Sequence, residues 1–214
     1  MFMLLNISKR KDMYDKTVKS GRFNDRNKLP KTIELWNKNI LIMGFGRIGK
    51  SLIKRCIGFE MNVYVYDPFV SKEEIESLGG KKIEDLKEGV KKMDALTLHM
   101  PLNEKTKNII NYDVLKNMKK NSCLINIGRG NAIEEKDLLN HLKKNKNFYA
   151  YLDVFKDEPL KSSSQFWKLP NVTITPHVAG VTAIEPSVKY MYSKYKKLRK
   201  NKNVKSDVNP SDGY

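Results

Sequence analysis

The sequence predicts a doubly wound α/β fold on one parallel sheet, and two observations carry that prediction. Short apolar runs bounded by turn residues alternate with charged segments of helical period, as in strand–helix–strand units whose strands are buried on both faces. A glycine-rich turn, Gly44-Phe45-Gly46-Arg47-Ile48-Gly49, directly follows the first of these runs and opens a helix.

In chain order, residues 3–20 read as one helix ending near Gly21, followed by a polar segment to Pro30 and a short connector. Strands are expected at residues 39–43, 63–66, 95–99, 123–127, 149–154 and 172–175. Between them, Ser71 and Glu74 form a capping box, residues 131–143 read as a helix, and a lysine-rich helix near the end faces solvent. The chain thus divides into residues 1–30, a sheet domain of residues 31–182, and a helix and tail of residues 183–214.

Composition narrows the class. With 214 residues, 40% of them hydrophobic, the chain buries one good core. The two cysteines, Cys56 and Cys123, lie far apart and outside any C-x-x-C spacing, so neither a disulfide framework nor a metal site is expected. The initial apolar run precedes its positive charges, the reverse of a signal peptide, and no stretch approaches the roughly 18 apolar residues of a membrane span. A soluble, cytoplasmic protein is expected. The excess of 41 basic over 24 acidic residues, a net charge of +17, is spread over the helices and accompanies no nucleic-acid motif. It reads as a solvated surface, with polyanion binding as the minor alternative.

The glycine turn is the first chemical signal. Its glycines let the backbone turn sharply and approach a pyrophosphate, which rests on the helix N-terminus where unpaired N–H groups favour negative charge. The next strand ends at Asp67, about 20 residues on, where an acid hydrogen-bonds the adenosine ribose and repels a 2′-phosphate. This is a Rossmann-type signature, favouring NAD over NADP. The same residues through Ser51 also satisfy the P-loop pattern, G-x-x-x-x-G-K-[ST], in which Lys50 would bind phosphates. Local sequence leaves both open; the nucleotide-hydrolase reading gives the later motifs no task.

Those motifs are Leu98-His99-Met100-Pro101-Leu102, Ile125-Asn126-Ile127-Gly128-Arg129-Gly130, Leu152-Asp153-Val154-Phe155 with Glu158-Pro159, and Asn171-Val172 through Thr175-Pro176-His177-Val178-Ala179-Gly180. In order and spacing they resemble the D-isomer-specific 2-hydroxyacid dehydrogenases, and the resemblance covers nearly the whole chain. It implies a hydride transfer between a nicotinamide cofactor and a small 2-hydroxy or 2-keto acid. His177 would be the acid/base, Glu158 the carboxylate that orients it, and Arg129 the clamp on the substrate carboxylate. It further implies that the cofactor, NAD, is contacted by Gly44, Gly46, Arg47, Ile48, Gly49 and Asp67. His99, Pro101 and Thr106 would join them on the adenosine and phosphate side, and Ile127, Gly128, Arg129, Asp153, His177 and Gly180 near the nicotinamide. Asp153 would accept from the carboxamide or, alternatively, cap the following turn; His99 has no catalytic assignment.

One departure concerns the beginning. Members of this family carry a substrate domain ahead of the dinucleotide domain, whereas residues 1–23 here resemble the connecting segment that helps build a homodimer. The resemblance therefore implies that turnover needs a further domain. A non-catalytic NAD-binding protein, similar to the corepressors related to these enzymes, is the second reading.

Overall fold

The computed structural model describes residues 1–21, 32–180, 184–200 and 204. Seven strands form one sheet: β1 (Asn39–Met43), β2 (Asn62–Tyr66), β3 (Lys81–Lys82), β4 (Ala95–Leu98), β5 (Cys123–Asn126), β6 (Tyr149–Leu152) and β7 (Val172–Ile174). Their order is β3-β2-β1-β4-β5-β6-β7, and every pairing is parallel. After β1 the chain builds outward through β2 and β3, then returns to the other side of β1 at β4. The crevice at this reversal, beyond the carboxyl ends of β1 and β4, is where such sheets bind ligands.

Alternation along each strand divides the core in two. Ile40, Ile42, Val63, Val65, Ala95, Cys123, Ile125 and Tyr151 face one side, where Leu4 of α1 (Phe2–Lys9), Ile53 and Cys56 of α3 (Arg47–Gly58) and Ile75 of α4 (Lys72–Glu76) cover them. Leu41, Met43, Leu96, Leu98, Leu124, Ala150 and Leu152 face the other, under α5 (Leu86–Gly89), α6 (Tyr112–Leu115) and α7 (Glu135–Lys144). A parallel sheet needs both faces covered, which explains why β1, β4 and β5 are almost uninterrupted apolar runs.

Local chemistry sets the element ends. Ser71 Oγ accepts from the Glu74 N–H, as the capping box predicts, while the Glu74 carboxylate turns to Lys50 Nζ at 2.6 Å. Asp85 and Asn111 cap α5 and α6 in the same way.

The structure corrects several expectations. Residues 3–20 are two helices, α1 and α2 (Lys11–Lys19), because Arg10 adopts a left-handed conformation (φ 54°) and closes α1 through its N–H. The helix expected at residues 131–143 begins at Glu135, after a 3-10 turn over Gly130–Ala132. Edge strand β3 has two lysines and no apolar pattern, so periodicity could not reveal it. The last helix, α8 (Ile184–Arg199), buries none of its residues, in line with the expected solvent-facing element. The expected boundaries at 30 and 182 lie outside the described residues. Among the described residues, no helix is long and apolar enough to cross a membrane.

Backbone approach is closest where α3 meets β1. A Cβ on Gly49 would lie 2.2 Å from the Gly44 carbonyl oxygen, so the helix can pack this tightly only without a side chain there. Gly49→Ala should lower unfolding stability by about 1–3 kcal/mol, the usual range for overpacking. Urea denaturation measures this, and an unchanged midpoint would show that the turn yields freely.

Candidate active site

The crevice is built from the turns that follow the strands. Gly44 leaves β1 with φ 97°, and a Cβ there would come within 2.8 Å of the Met100 nitrogen in the turn after β4. Glycine is therefore required by both conformation and space. Gly46 is the N-cap of α3, with no side-chain cap and nothing within 4 Å of a Cβ position. The first N–H groups of α3 lack a capping side chain beside an open, glycine-lined approach, an arrangement suited to a phosphate.

Asp67, at the end of β2, faces the same turn. Its Oδ2 accepts from the Phe45 N–H at 2.8 Å and its Oδ1 from the Phe69 N–H at 3.0 Å. The carboxylate is thereby held in one orientation while retaining lone pairs for a ligand. It lines a cavity of about 630 Å³ together with Gly44, Gly46, His99, Pro101 and Thr106. The Thr106 hydroxyl ties this wall together, donating to the Pro101 carbonyl at 2.7 Å. On the other side of the glycine turn a second cavity, of about 440 Å³, is lined by Arg47, Ile48, His99 and Ile127. His99 belongs to both walls. Its Nε2 pairs with Thr97 Oγ1 at 2.9 Å, its Nδ1 is buried without a hydrogen-bond partner, and burial pushes its pKa down to about 4. It is a neutral imidazole at physiological pH.

Three residues distant in sequence converge in a third cavity of about 240 Å³, which Arg129, Glu158 and His177 line together. The His177 Nδ1 is 2.7 Å from Glu158 Oε2, and Glu158 Oε1 accepts from the Phe155 N–H at 2.9 Å. Burial works to raise the Glu158 pKa. The bonds from the His177 ring and the Phe155 N–H, with the charge of the ring, outweigh it and hold the carboxyl below its ordinary range. Arg129 is exposed, with Nη1 donating to the Gly128 carbonyl at 2.9 Å. Gly128 itself is buried, its N–H bonded to Asn126 Oδ1.

Asp153 shapes the loop that carries His177. Buried to 2% exposure, its carboxylate accepts from the Thr175 hydroxyl and from the Val178 and Ala179 N–H groups, at 2.9 and 3.0 Å for the latter two. Its main-chain carbonyl takes the His177 N–H at 2.9 Å. The Asp153 carboxylate thus ties down the loop after β7 and not the turn that directly follows it in the chain, and its Oδ2, with one bond, keeps an acceptor site. His177 is held at φ 52°, an uncommon left-handed conformation for a side-chain-bearing residue and one often found at functional positions. Gly180, just beyond, is exposed with open space around it.

The residues that the P-loop alternative assigns to phosphate and metal make other contacts here. Lys50 Nζ is bound to Glu74 and lies over the Phe45 ring, while the Ser51 hydroxyl accepts from Arg55. Both cysteines are buried free thiols whose pKa values burial pushes up to about 11 and about 12, so neither serves as a nucleophile at neutral pH.

Comparison with known proteins accords with this geometry. Residues 1–179 match the NAD binding domain of the D-isomer specific 2-hydroxyacid dehydrogenases. The chain is 42% identical over 166 residues to D-3-phosphoglycerate dehydrogenase of Methanocaldococcus jannaschii, covering 78% of this chain and 31% of that protein. It is 37% identical over 173 residues to glyoxylate reductase of Pyrococcus furiosus, covering 78% of this chain and 51% of that one. In structure it is similar to an NADPH-dependent glyoxylate/hydroxypyruvate reductase of Sinorhizobium meliloti in complex with NADP and sulfate. There the TM-score is 0.85 at 25% identity, covering 100% of this chain and 67% of the other. The chain spans about a third of the phosphoglycerate dehydrogenase and about half of the glyoxylate reductase it matches.

His99 generates a pH dependence. Its folded pKa of about 4 lies below the ordinary 6.5, so between these values the unfolded chain binds a proton that the folded chain does not. Stability from this group is complete above pH 6.5 and falls as pH drops toward 4, by up to about 1.4 kcal/mol per pH unit. Urea unfolding across that window should give a shallower pH slope for His99→Gln; identical slopes would place the effect elsewhere.

Proposed function

This chain belongs to the D-isomer specific 2-hydroxyacid dehydrogenases, and from that premise we propose that it is their catalytic dinucleotide-binding half. It transfers a hydride between NAD and a small 2-hydroxy or 2-keto acid when completed by a substrate domain. The observation that carries this reading is the 2.7 Å pair of His177 and Glu158, gathered into one cavity with Arg129.

The glycine turn and Asp67 fit a dinucleotide. The α3 N–H groups beside Gly46 would hold the pyrophosphate, and Asp67, fixed by two backbone N–H groups, would bind the ribose hydroxyls and disfavour a 2′-phosphate. When bound, the nicotinamide supplies the hydride acceptor or donor. With Nδ1 taken by Glu158, His177 would use Nε2 to remove the proton from the C2 hydroxyl during oxidation and return it during reduction. Glu158 stabilises the imidazolium formed in the first case and fixes the ring orientation in both. Arg129 would bind the substrate carboxylate in two-point fashion and stabilise negative charge on the keto oxygen. Asp153 would accept from the carboxamide at its remaining site.

The proposed division remains residues 1–30 as a connecting and dimer-forming segment, residues 31–182 as the NAD-binding domain, and residues 183–214 as a helix and tail. A soluble cytoplasmic homodimer is the setting in which this division makes sense: exposed Phe2 and Val18 on the first two helices offer apolar area, and the surface is densely charged.

Calorimetric titration of the purified chain with NADH, NADPH and ATP tests the cofactor. NADH binding lost in Gly46→Val is expected; ATP binding with magnesium and none of NADH would reverse the assignment. Asp67→Ala should weaken NADH binding and narrow its advantage over NADPH, and an unchanged preference would remove Asp67 from the ribose site. Supplied with a complementing substrate domain, His177→Ala should lose hydride transfer while still binding NADH. Retained turnover would assign the proton to another group.

A further inference from the structure

The cavity between the glycine turn and the end of β2 carries two charged side chains of opposite sign. Among the described residues that line it, Asp67 is the anion and Lys105 the cation, while His99 is neutral. Lys105 lies on the turn after β4, which the Asn103 side chain braces by accepting from the Lys105 and Thr106 N–H groups, both at 3.0 Å. The Lys105 ammonium stands over the Phe69 ring, 5.7 Å from its centroid, and the Phe69 N–H is the group that donates to Asp67 Oδ1. Among the described residues no carboxylate pairs with this ammonium, so its charge is not cancelled at short range.

We propose that Lys105 is a specificity-determining residue for the cofactor: it offsets the repulsion between Asp67 and a 2′-phosphate, so that the site accepts NADPH as a second, weaker ligand. The inference rests on the dinucleotide reading above. A phosphate on the 2′ oxygen brings roughly two further negative charges into the cavity that Asp67 lines. Asp67 is held by two backbone N–H groups and is not free to turn away. A cation lining the same cavity is then the group that decides how much of this repulsion is felt. Lysines elsewhere on the surface contribute little, because salt screens charges beyond about 8 Å at physiological ionic strength. Lysine suits the task, being a compact charge on a flexible four-carbon stem that can follow a phosphate, and the Phe69 ring draws the ammonium toward the β2 side of the cavity. NADH has no 2′-phosphate, so Lys105 adds little to its binding. Lys105 is exposed, and changing it leaves the core intact.

The test is calorimetric titration of the whole chain with NADH, followed by displacement of NADH by NADPH, 2′-AMP and 5′-AMP, at low and physiological salt. The variants are Lys105→Gln and Lys105→Arg. Lys105→Gln should weaken NADPH and 2′-AMP about threefold to tenfold, and NADH and 5′-AMP by less than about twofold. Lys105→Arg keeps the charge and should retain most of the NADPH affinity. The loss in Lys105→Gln should shrink as salt rises. An equal loss for NADH and NADPH would assign Lys105 to the pyrophosphate instead and overturn the inference. So would an unchanged NADPH affinity in Lys105→Gln, or a failure of NADPH to displace NADH from the unaltered chain, and in each case the cofactor assignment stands. Failure of the unaltered chain to bind NADH would remove the cofactor assignment, and this inference with it.

Discussion

All seven strands run in one direction, and most of what is distinctive about this molecule follows from that constraint. Parallel neighbours cannot be joined by a tight hairpin, so each connection must cross back over a face of the sheet. Both faces are then covered, by α1, α3 and α4 on one side and α5, α6 and α7 on the other. The central strands β1, β4 and β5 between them are accordingly almost uninterrupted apolar runs. The same direction brings every turn that follows a strand to one edge. Gly44, Asp67, His99, Arg129, Asp153 and His177 all emerge there although up to 133 positions separate them, from 44 to 177. The reversal of order between β1 and β4 opens that edge into a crevice.

Two devices hold the crevice in shape, one made of missing atoms and one of a buried charge. At Gly44 and Gly49 the absence of side chains lets the turn after β1 touch both the turn after β4 and the first turn of α3. At Asp153 a carboxylate almost without solvent contact is tolerated because three donors from the loop after β7 bind it. Those bonds, with the one from the His177 N–H to the Asp153 carbonyl, tie the His177 loop to the end of β6, where His177 holds an uncommon backbone conformation. Glu158 then fixes the ring. The site combines a rigid apolar platform with polar loops whose hydrogen bonds are made largely to one another.

Several of these features were legible in the residues alone. Six of the seven strands showed as apolar runs, with ends misplaced by one or two positions at most, because burial on both faces leaves a plain signal. β3 gave none, since two lysines at a sheet edge have no apolar pattern to read. The long first helix was misread at Arg10 because a left-handed residue in a polar, helix-prone stretch leaves no mark in periodicity. The site motifs were readable as a set: their order and spacing specify which residues matter without showing how they meet.

The order of strands and helices, the glycine turn and the residue types of the candidate site are properties of the sequence itself. They depend on local conformational preference and on hydrophobic spacing. The tertiary structure alone decided what each polar group does. The P-loop pattern and the dinucleotide pattern share the same glycines. Lys50, the phosphate ligand of the first reading, pairs with Glu74 across 24 positions and lies over the Phe45 ring. Asp153 becomes the organiser of the His177 loop, and Tyr190 reaches Arg47 across 143 positions. Such contacts are set by how parallel crossovers stack in space, and no local pattern of residues encodes that distance.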